Sequence, residues 1–309
     1  GGFIIMKNKN IKDVVVGSIN MDLILSTDKV PEEGENITGT TYGYANGGKG
    51  ANQATALAKL GANVKMVGKI ADDANGKALI DNLKNNNIDI SGVATDGSAT
   101  GLAAIIIDGN GKNRIIVYEG ANAEIIPEEA VSAIDSDTDL LLVQFETDEK
   151  VVSAVVNHAV KNNITTVIDC GPAKDFCLEK MQGATIISPN ESETKALTGV
   201  FPDDEKTILE ASQIIMDRSK AQFTVLKLGS RGCSVFDGKS LTLLPAYKSD
   251  VVDTTAAGDC FTAAMAVDFI ADGDIYKACD TGNKAGAIAV SRFGAADSMP
   301  TINEIMSFI

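Results

Sequence analysis

Histidine is almost missing from this chain: His158 is the only one in 309 residues. A zinc centre or a Ser/His/Asp triad cannot be built readily on one imidazole in a helical run, Val151–Lys161. A surface or packing role fits His158 better. Positive charge is also scarce. Lys and Arg number 27 against 42 Asp and Glu, which leaves a formal net charge of -15. No basic patch is evident to neutralise phosphates, which argues against nucleic acid or an anionic membrane as the main partner. An acidic protein can still bind ATP, because a local nest of N–H groups and a metal ion offset the global field. Cysteine is limited to Cys170, Cys177, Cys233, Cys260 and Cys279. The number is odd and no Cys-x-x-Cys pair occurs, so reduced thiols in a cytoplasmic protein are expected. No apolar run is long enough to span a membrane. No Gly-x-Gly-x-x-Gly follows the first strand, which disfavours a Rossmann-type dehydrogenase. Gly1–Ile5 precede Met6 and are too short for a signal peptide; they read as an expression remnant or a short natural extension.

What is present is the composition of an ordinary globular protein, 44% hydrophobic and 22% charged. Short apolar strands are expected at Asp13–Gly17, Val64–Val67, Leu140–Val143, Thr165–Ile168, Thr185–Ile187 and Phe223–Leu228. Helices are expected at Gly48–Leu60, Asp73–Asn86, Asp148–Lys161, Glu191–Leu197 and Glu205–Arg218. Strands alternating with helices indicate a mostly parallel sheet covered on both faces. Two segments break the alternation. Ile37–Tyr44 is rich in Thr and Tyr, and Leu102–Ile107 and Arg114–Tyr118 flank Asp108-Gly109-Asn110-Gly111, a strong hairpin signal. They predict a small separate sheet beside the ligand crevice, a lid or a dimer interface. With no linker and no fixed-period repeat, residues 1–309 read as one α/β domain with a lid at about 37–45 and 101–119.

The chemistry concentrates in Asp253-Thr-Thr-Ala-Ala-Gly-Asp259, a strand end and small-residue loop running into an apolar helix. The first N–H groups of a helix lack intrahelical partners and sit at the positive end of its dipole. Small side chains leave them open to an anion, and Asp259 stands at the mouth of that hole. An anion hole beside a carboxylate is what phosphoryl transfer to a hydroxyl needs.

Four other segments carry two readings each. Asn46-Gly-Gly-Lys-Gly-Ala-Asn52 lacks the Gly-Lys-Ser/Thr of a P-loop, and Gly238-Lys239-Ser240 lies in a hairpin signal with its preceding glycine misplaced. Gly47–Asn52 is either a close approach to a polyol, with Lys49 and Asn52 on its hydroxyls, or a plain helix entrance. Asn20 and Asp22, after the first strand, sit where open α/β sheets bind ligands, or else form a turn. Asn190 and Glu193 either cap a helix or bring a carboxylate to magnesium through water. Leu228–Gly232 either wraps a nucleotide or makes a β-turn.

In order along nearly the whole chain, these pieces resemble the ribokinase family, within the larger ribokinase-like group of carbohydrate kinases. The resemblance rests on Val16–Asp22, Gly47–Ala54, Ser188–Glu193, Leu228–Gly232, Asp253–Asp259 and Ala289–Ala295. It implies a three-layer α/β/α sandwich with a mostly parallel central sheet and a small β-sheet lid. It further implies ATP-dependent phosphorylation of the 5-hydroxyl of D-ribose. Asp259 would be the base, with an anion hole at Ala256, Ala257, Gly258 and Asp259. Asn20, Asp22, Gly48, Lys49, Asn52 and Glu146 would hold the sugar, and Asn190, Lys227, Gly229, Ser230, Gly232, Gly258 and Asn283 would contact ATP. Asp253, Thr255, Ala289, Arg292, Gly294 and Ser298 would bind a monovalent cation, K+, several through backbone carbonyls, and Glu193 would reach Mg2+ through water. A homodimer joined through the lid is also expected. Three positions depart from the family pattern: Lys227 where a small hydroxyl residue is common, Cys260 where Thr is frequent, and Ala71 in place of a glycine. Alternatives are a kinase for deoxyribose, fructose, adenosine or pseudouridine, and a sugar-binding regulator without catalysis.

Overall fold

The chain's computed structural model describes residues 11–308, so Gly1–Ile5 lie outside it. Among the described residues thirteen strands form two sheets. They are β1 (Lys12–Val16), β2 (Asn20–Ser26), β3 (Thr41–Gly47), β4 (Asn63–Lys69), β5 (Asp89–Ala94), β6 (Gly101–Ile107) and β7 (Asn113–Tyr118). Then come β8 (Leu140–Gln144), β9 (Thr165–Asp169), β10 (Ile186–Ser188), β11 (Phe223–Lys227), β12 (Cys233–Phe236) and β13 (Leu241–Leu244). The large sheet runs β13-β12-β11-β10-β9-β8-β1-β4-β5 and is parallel except for β12 and β13. The strands and helices expected above are found, with ends within a few residues, but no strand ends at Asp253: the last strand among the described residues is β13, and residues 245–253 run to the Asp253–Asp259 loop without one.

The central strands of the large sheet are buried on both faces because apolar side chains dominate both sides of each. Along β1, Val14 and Val16 enter one core and Val15 the other; along β8, Leu141 and Val143 oppose Leu140 and Leu142. Helices Lys49–Lys59, Ala74–Asn85, Ala257–Asp272 and Ile275–Val290 cover the first face, and Glu149–Lys161, Glu191–Thr198 and Glu205–Ser219 the second. Each fully buried Val or Leu contributes roughly 1.5–3 kcal/mol, so this sheet is the rigid frame. The Gly238-Lys239-Ser240 decoy falls in the β12–β13 turn, where Asp237 accepts from the N–H groups of Lys239 and Ser240 at 2.9 and 2.8 Å. Among the described residues no helix is long and apolar enough to cross a membrane.

The small sheet has the order β3-β2-β6-β7. Its hairpin, β6 with β7, lies where the sequence pattern puts it, while residues 37–40 carry no strand and β3 begins at Thr41. Two strands are absent from the sequence reading, β5 at the edge of the large sheet and β2 in the small one. Asn20 and Asp22 do not sit in a loop past β1; they are part of β2, which leaves the large sheet through a tight Gly17–Ile19 connection. Strand β2 therefore ties the lid to the frame and carries Asp22 on its inner face.

Candidate active site

The site lies at the carboxyl ends of the parallel strands, beneath the lid. Its floor is the start of helix Lys49–Lys59. Gly48 takes φ +88, a backbone conformation natural only to glycine, which turns the chain sharply from β3 into this helix. A side chain on Gly47 would meet the Asp22 carboxylate at 2.3 Å, so a bare backbone is needed for Asp22 to lie across it. Burial, reinforced by Glu146 and Asp259, pushes the Asp22 carboxyl up to about 7. Glu146 accepts from the Lys49 N–H at 2.8 Å and from the Ser18 hydroxyl. Asn20 is buried and accepts from Asn122 Nδ2 at 2.7 Å.

Asp259 sits in the first turn of helix Ala257–Asp272 and is 4% exposed. Its Oδ2 accepts from Asn52 Nδ2 at 3.1 Å and its Oδ1 from Gln53 Nε2 at 2.9 Å, with Lys49 Nζ 3.6 Å from Oδ1. Burial opposes the charge of Lys49, but Asp259, Asp169, Glu193 and Glu146 outweigh it and hold the ammonium well above its usual range. Ala256, which caps this helix, has φ +58, a strained conformation for a residue with a Cβ. The early backbone bonds run from Ala257 N–H to Thr254 O at 3.3 Å and from Cys260 N–H to Ala256 O at 2.9 Å. The N–H groups of Gly258 and Asp259 are left at the mouth of the turn, as an anion hole requires.

Beside that hole is a cavity of about 500 Å³. Lys227, Gly229, Ser230, Gly232, Gly258 and Asn283 all line it, so most of the residues expected on the nucleotide side are brought together. Asn190 lies one step outside, bridged through its backbone to Lys227. Asn190 and Glu193 form a capping box: the Glu193 carboxylate accepts from Asn190 N–H at 2.7 Å and Asn190 Nδ2 at 2.8 Å. With both oxygens so engaged, Glu193 fits magnesium through water rather than directly. Among the described residues no group of three or more His, Cys, Asp or Glu could hold a metal by itself.

Asp253 draws the second loop together. Its Oδ1 accepts from Thr255 N–H at 2.9 Å and Oγ1 at 2.7 Å, and its Oδ2 from Gly294 N–H at 3.0 Å. Burial works against the charge, but these bonds hold the carboxyl below its usual range. Buried Ser298 donates to Ala295 O at 2.8 Å, which leaves its lone pairs available. The Arg292 guanidinium is turned away to Glu304 at 2.5 Å, so only its backbone faces the loop. With Ala289 at the end of the adjoining helix, this hard-oxygen set suits an alkali cation.

Sequence reasoning assigned no role to Asp169, Gln53, Gln144 or Thr262. Asp169 ends β9, fully buried, and its Oδ2 accepts from Lys227 Nζ at 2.8 Å, Thr262 Oγ1 at 3.0 Å and Gln53 Nε2 at 3.1 Å. Burial alone would raise this carboxyl; Lys227 and Lys49 outweigh it and hold Asp169 below the usual carboxylate range. The unusual Lys227 thus has a dedicated counter-ion. The strand-end position that singled out Asn20 also fits Asp169 and was the available signal. Cys260 packs in the core, and Phe261 packs there while also lining the cavity.

The family model described as "pfkB family carbohydrate kinase" matches residues 11–302. The ribokinase of Bacillus subtilis (strain 168) is 38% identical over 299 residues, covering 94% of this chain and 97% of its own. The ribokinase of Lactococcus lactis subsp. lactis (strain IL1403) is 34% identical, covering 94% of each. The structure of Arabidopsis thaliana ribokinase complexed with ribose and ATP superposes with a TM-score of 0.88 at 29% identity, over 96% of this chain and 98% of that one.

Proposed function

The chain belongs to the pfkB family of carbohydrate kinases, and we propose that it phosphorylates D-ribose at the 5-hydroxyl with ATP, giving ribose 5-phosphate and ADP. The observation that carries this reading is the position of Asp259. It stands at the helix entrance whose Gly258 lines the large cavity, while its carboxylate meets Asn52 and Lys49 on the lid side. One carboxylate thus lies between a sugar shelf and a nucleotide pocket.

In this reading Asp22, Asn20, Asn52, Lys49, Glu146 and the Gly47–Gly48 backbone orient the sugar. Asp259 accepts the 5-hydroxyl proton as that oxygen bonds to the γ-phosphorus in line. The bond to the β,γ-bridging oxygen breaks and ADP departs. The N–H groups of Gly258 and Asp259 stabilise charge on the transferring group, and Lys227 adds an ammonium from the cavity wall. Such positioning and electrostatics supply most of the catalysis in phosphoryl transfer. Magnesium held through water by Glu193 would neutralise phosphate charge when bound. Potassium on the Asp253, Thr255, Ala289, Arg292, Gly294 and Ser298 loops would order the anion hole without touching substrate.

The site belongs in the cytoplasm in this reading, which suits five unbridged thiols. The lid's outer face supports a homodimer. Tyr42, Tyr44, Ile116 and Tyr118 lie there, 74, 63, 68 and 57% exposed, an apolar patch of the kind that marks an interface. Ile116→Glu should shift the molar mass in solution from dimer to monomer; an unchanged mass would remove the lid from the interface.

ADP release over a panel of sugars and nucleosides, with and without potassium, tests the reaction. Ribose should give the highest kcat/KM, and rates should be higher in potassium than in a bulky organic-cation buffer. General-base help is typically worth about a hundred- to ten-thousand-fold. Asp259→Asn should cut kcat by at least about a hundred-fold while ribose binding persists. Near-parent turnover in that variant would remove Asp259 as the base.

A further inference from the structure

We infer that Gln53 is a positioning residue for phosphoryl transfer, the group that fixes the Asp259 carboxylate in its working orientation; this rests on Asp259 being the base. Gln53 is fully buried in helix Lys49–Lys59 and faces two carboxylates. One amide nitrogen, Nε2, donates to Asp259 Oδ1 at 2.9 Å and to Asp169 Oδ2 at 3.1 Å. An amide nitrogen has two hydrogens, and both are committed.

The orientation of this amide is dictated by charge. Turned over, Gln53 would aim its carbonyl oxygen at two buried carboxylates, a repulsive arrangement in a low-dielectric interior. A second side chain enforces the same direction. Gln144, at the end of β8, donates from Nε2 to Gln53 Oε1 at 2.6 Å. Gln144 leaves its own Oε1 buried and without a partner among the described residues. An orphaned buried acceptor is costly. Here that cost accompanies a chain of donors pointed at Asp259.

The two oxygens of Asp259 are therefore held differently. Oδ1 is hydrogen-bonded by Gln53, which lies too deep to meet a ligand, and has Lys49 Nζ 3.6 Å away. Oδ2 is bound by Asn52, a residue of the sugar shelf that can exchange its partner for a hydroxyl. Gln53 thus chooses which oxygen faces the acceptor. Because Gln53 also touches Asp169, and Asp169 holds Lys227, the same amide sets the base in register with the phosphate-side ammonium.

The test is a double-mutant cycle with Gln53→Met and Asp259→Asn. Methionine keeps the unbranched shape and removes both donors. Gln53→Met should lower kcat about a hundred-fold, the order of loss from misplacing a catalytic group by roughly 1 Å. KM for ATP and the calorimetric Kd for ribose should stay within about threefold. In the Asp259→Asn background the same substitution should cost less than about threefold, because no carboxylate base remains for Gln53 to orient. Gln144→Met, which leaves both Gln53 donors in place but frees the amide, should show a smaller loss of the same kind. It also serves if Gln53→Met fails to fold. Parent-like kcat in folded Gln53→Met or Gln144→Met, or losses that multiply in the double variant, would overturn the inference. Near-parent turnover in Asp259→Asn alone would instead remove the base on which it rests.

Discussion

Two buried carboxylates at opposite ends of one sheet behave in opposite ways. Asp169 closes β9 at the carboxyl end, and Asp13 lies near the start of β1 at the amino end. Both are almost sealed from water, 0 and 1% exposed. Asp169 meets Lys227, Thr262, Gln53 and the Gly171 N–H, and keeps its charge. Neither oxygen of Asp13 has a hydrogen-bond partner among the described residues, and burial, with Asp139 adding to it, pushes that carboxyl up to about 7. Burial alone therefore does not decide the charge state; the surrounding donors do. The end of the sheet that faces the cleft surrounds its buried carboxylate with counter-charges and amides, and the far end leaves Asp13 without them.

Breaking the Asp169 pair should have the largest effect. Asp169→Ala leaves Lys227 buried beside Glu193 with its main partner gone. Removing one member of a buried ion pair typically costs about 3–5 kcal/mol. We expect a loss of that order in denaturant unfolding. Turnover should also fall, because Gln53 and Lys227 both lose their anchor. Replacing both partners, as in Asp169→Asn with Lys227→Thr, should restore much of the stability, since no uncompensated charge remains. Equal stability for the parent and Asp169→Ala would contradict the assigned pairing.

Asp13 gives the opposite, pH-dependent result. Its folded carboxyl is raised above the ordinary value of 3.8 to about 7. Between those values the folded state binds more protons than the unfolded one, so stability falls as pH rises and the whole penalty is present above pH 7. The shift corresponds to on the order of 4 kcal/mol. Asp22 titrates in the same direction, so the informative quantity is a difference between variants. The stability advantage of Asp13→Asn over the parent should grow from about pH 5 to about pH 8 by a few kcal/mol. A difference that is flat in pH would show that Asp13 is ionised and paired after all.

The same contrast explains what could be read from the sequence. The large sheet was legible because its strands are short apolar runs between helices, a pattern that survives without knowledge of partners. The Asp253–Asp259 loop was legible because an anion hole depends on backbone and small side chains close together in the chain. β2 was not, because Asn20–Ser26 mixes polar and apolar residues and pairs with Thr41–Gly47 and Gly101–Ile107, far along the chain. Asp169 and Gln53 were missed for the same reason. Their roles come from pairings 116 and 206 residues away in sequence, Gln53 to Asp169 and to Asp259. Lys227 was noticed as unusual, but the residue that makes it tolerable lies on another strand. Arg292 shows the reverse limit: at a site expected to use several backbone carbonyls, its side chain turns away to Glu304 and its residue type says little.

Ion pairs at the amino end sharpen the comparison from its weak side. Lys65 on β4 reaches Asp135 at 3.0 Å, with the aspartate side chain 54% exposed. This is the same pairing of residue types as Lys227 with Asp169, on the same sheet, but one partner is in water. Solvent screening and the entropy of holding a long side chain reduce such pairs to about 0–1 kcal/mol. Asp135→Asn should therefore change unfolding free energy by less than about 1 kcal/mol and leave kcat and KM unaltered. A larger loss would mean that charge pairing at the amino end also carries the frame, and the division between the two ends of the sheet would have to be redrawn.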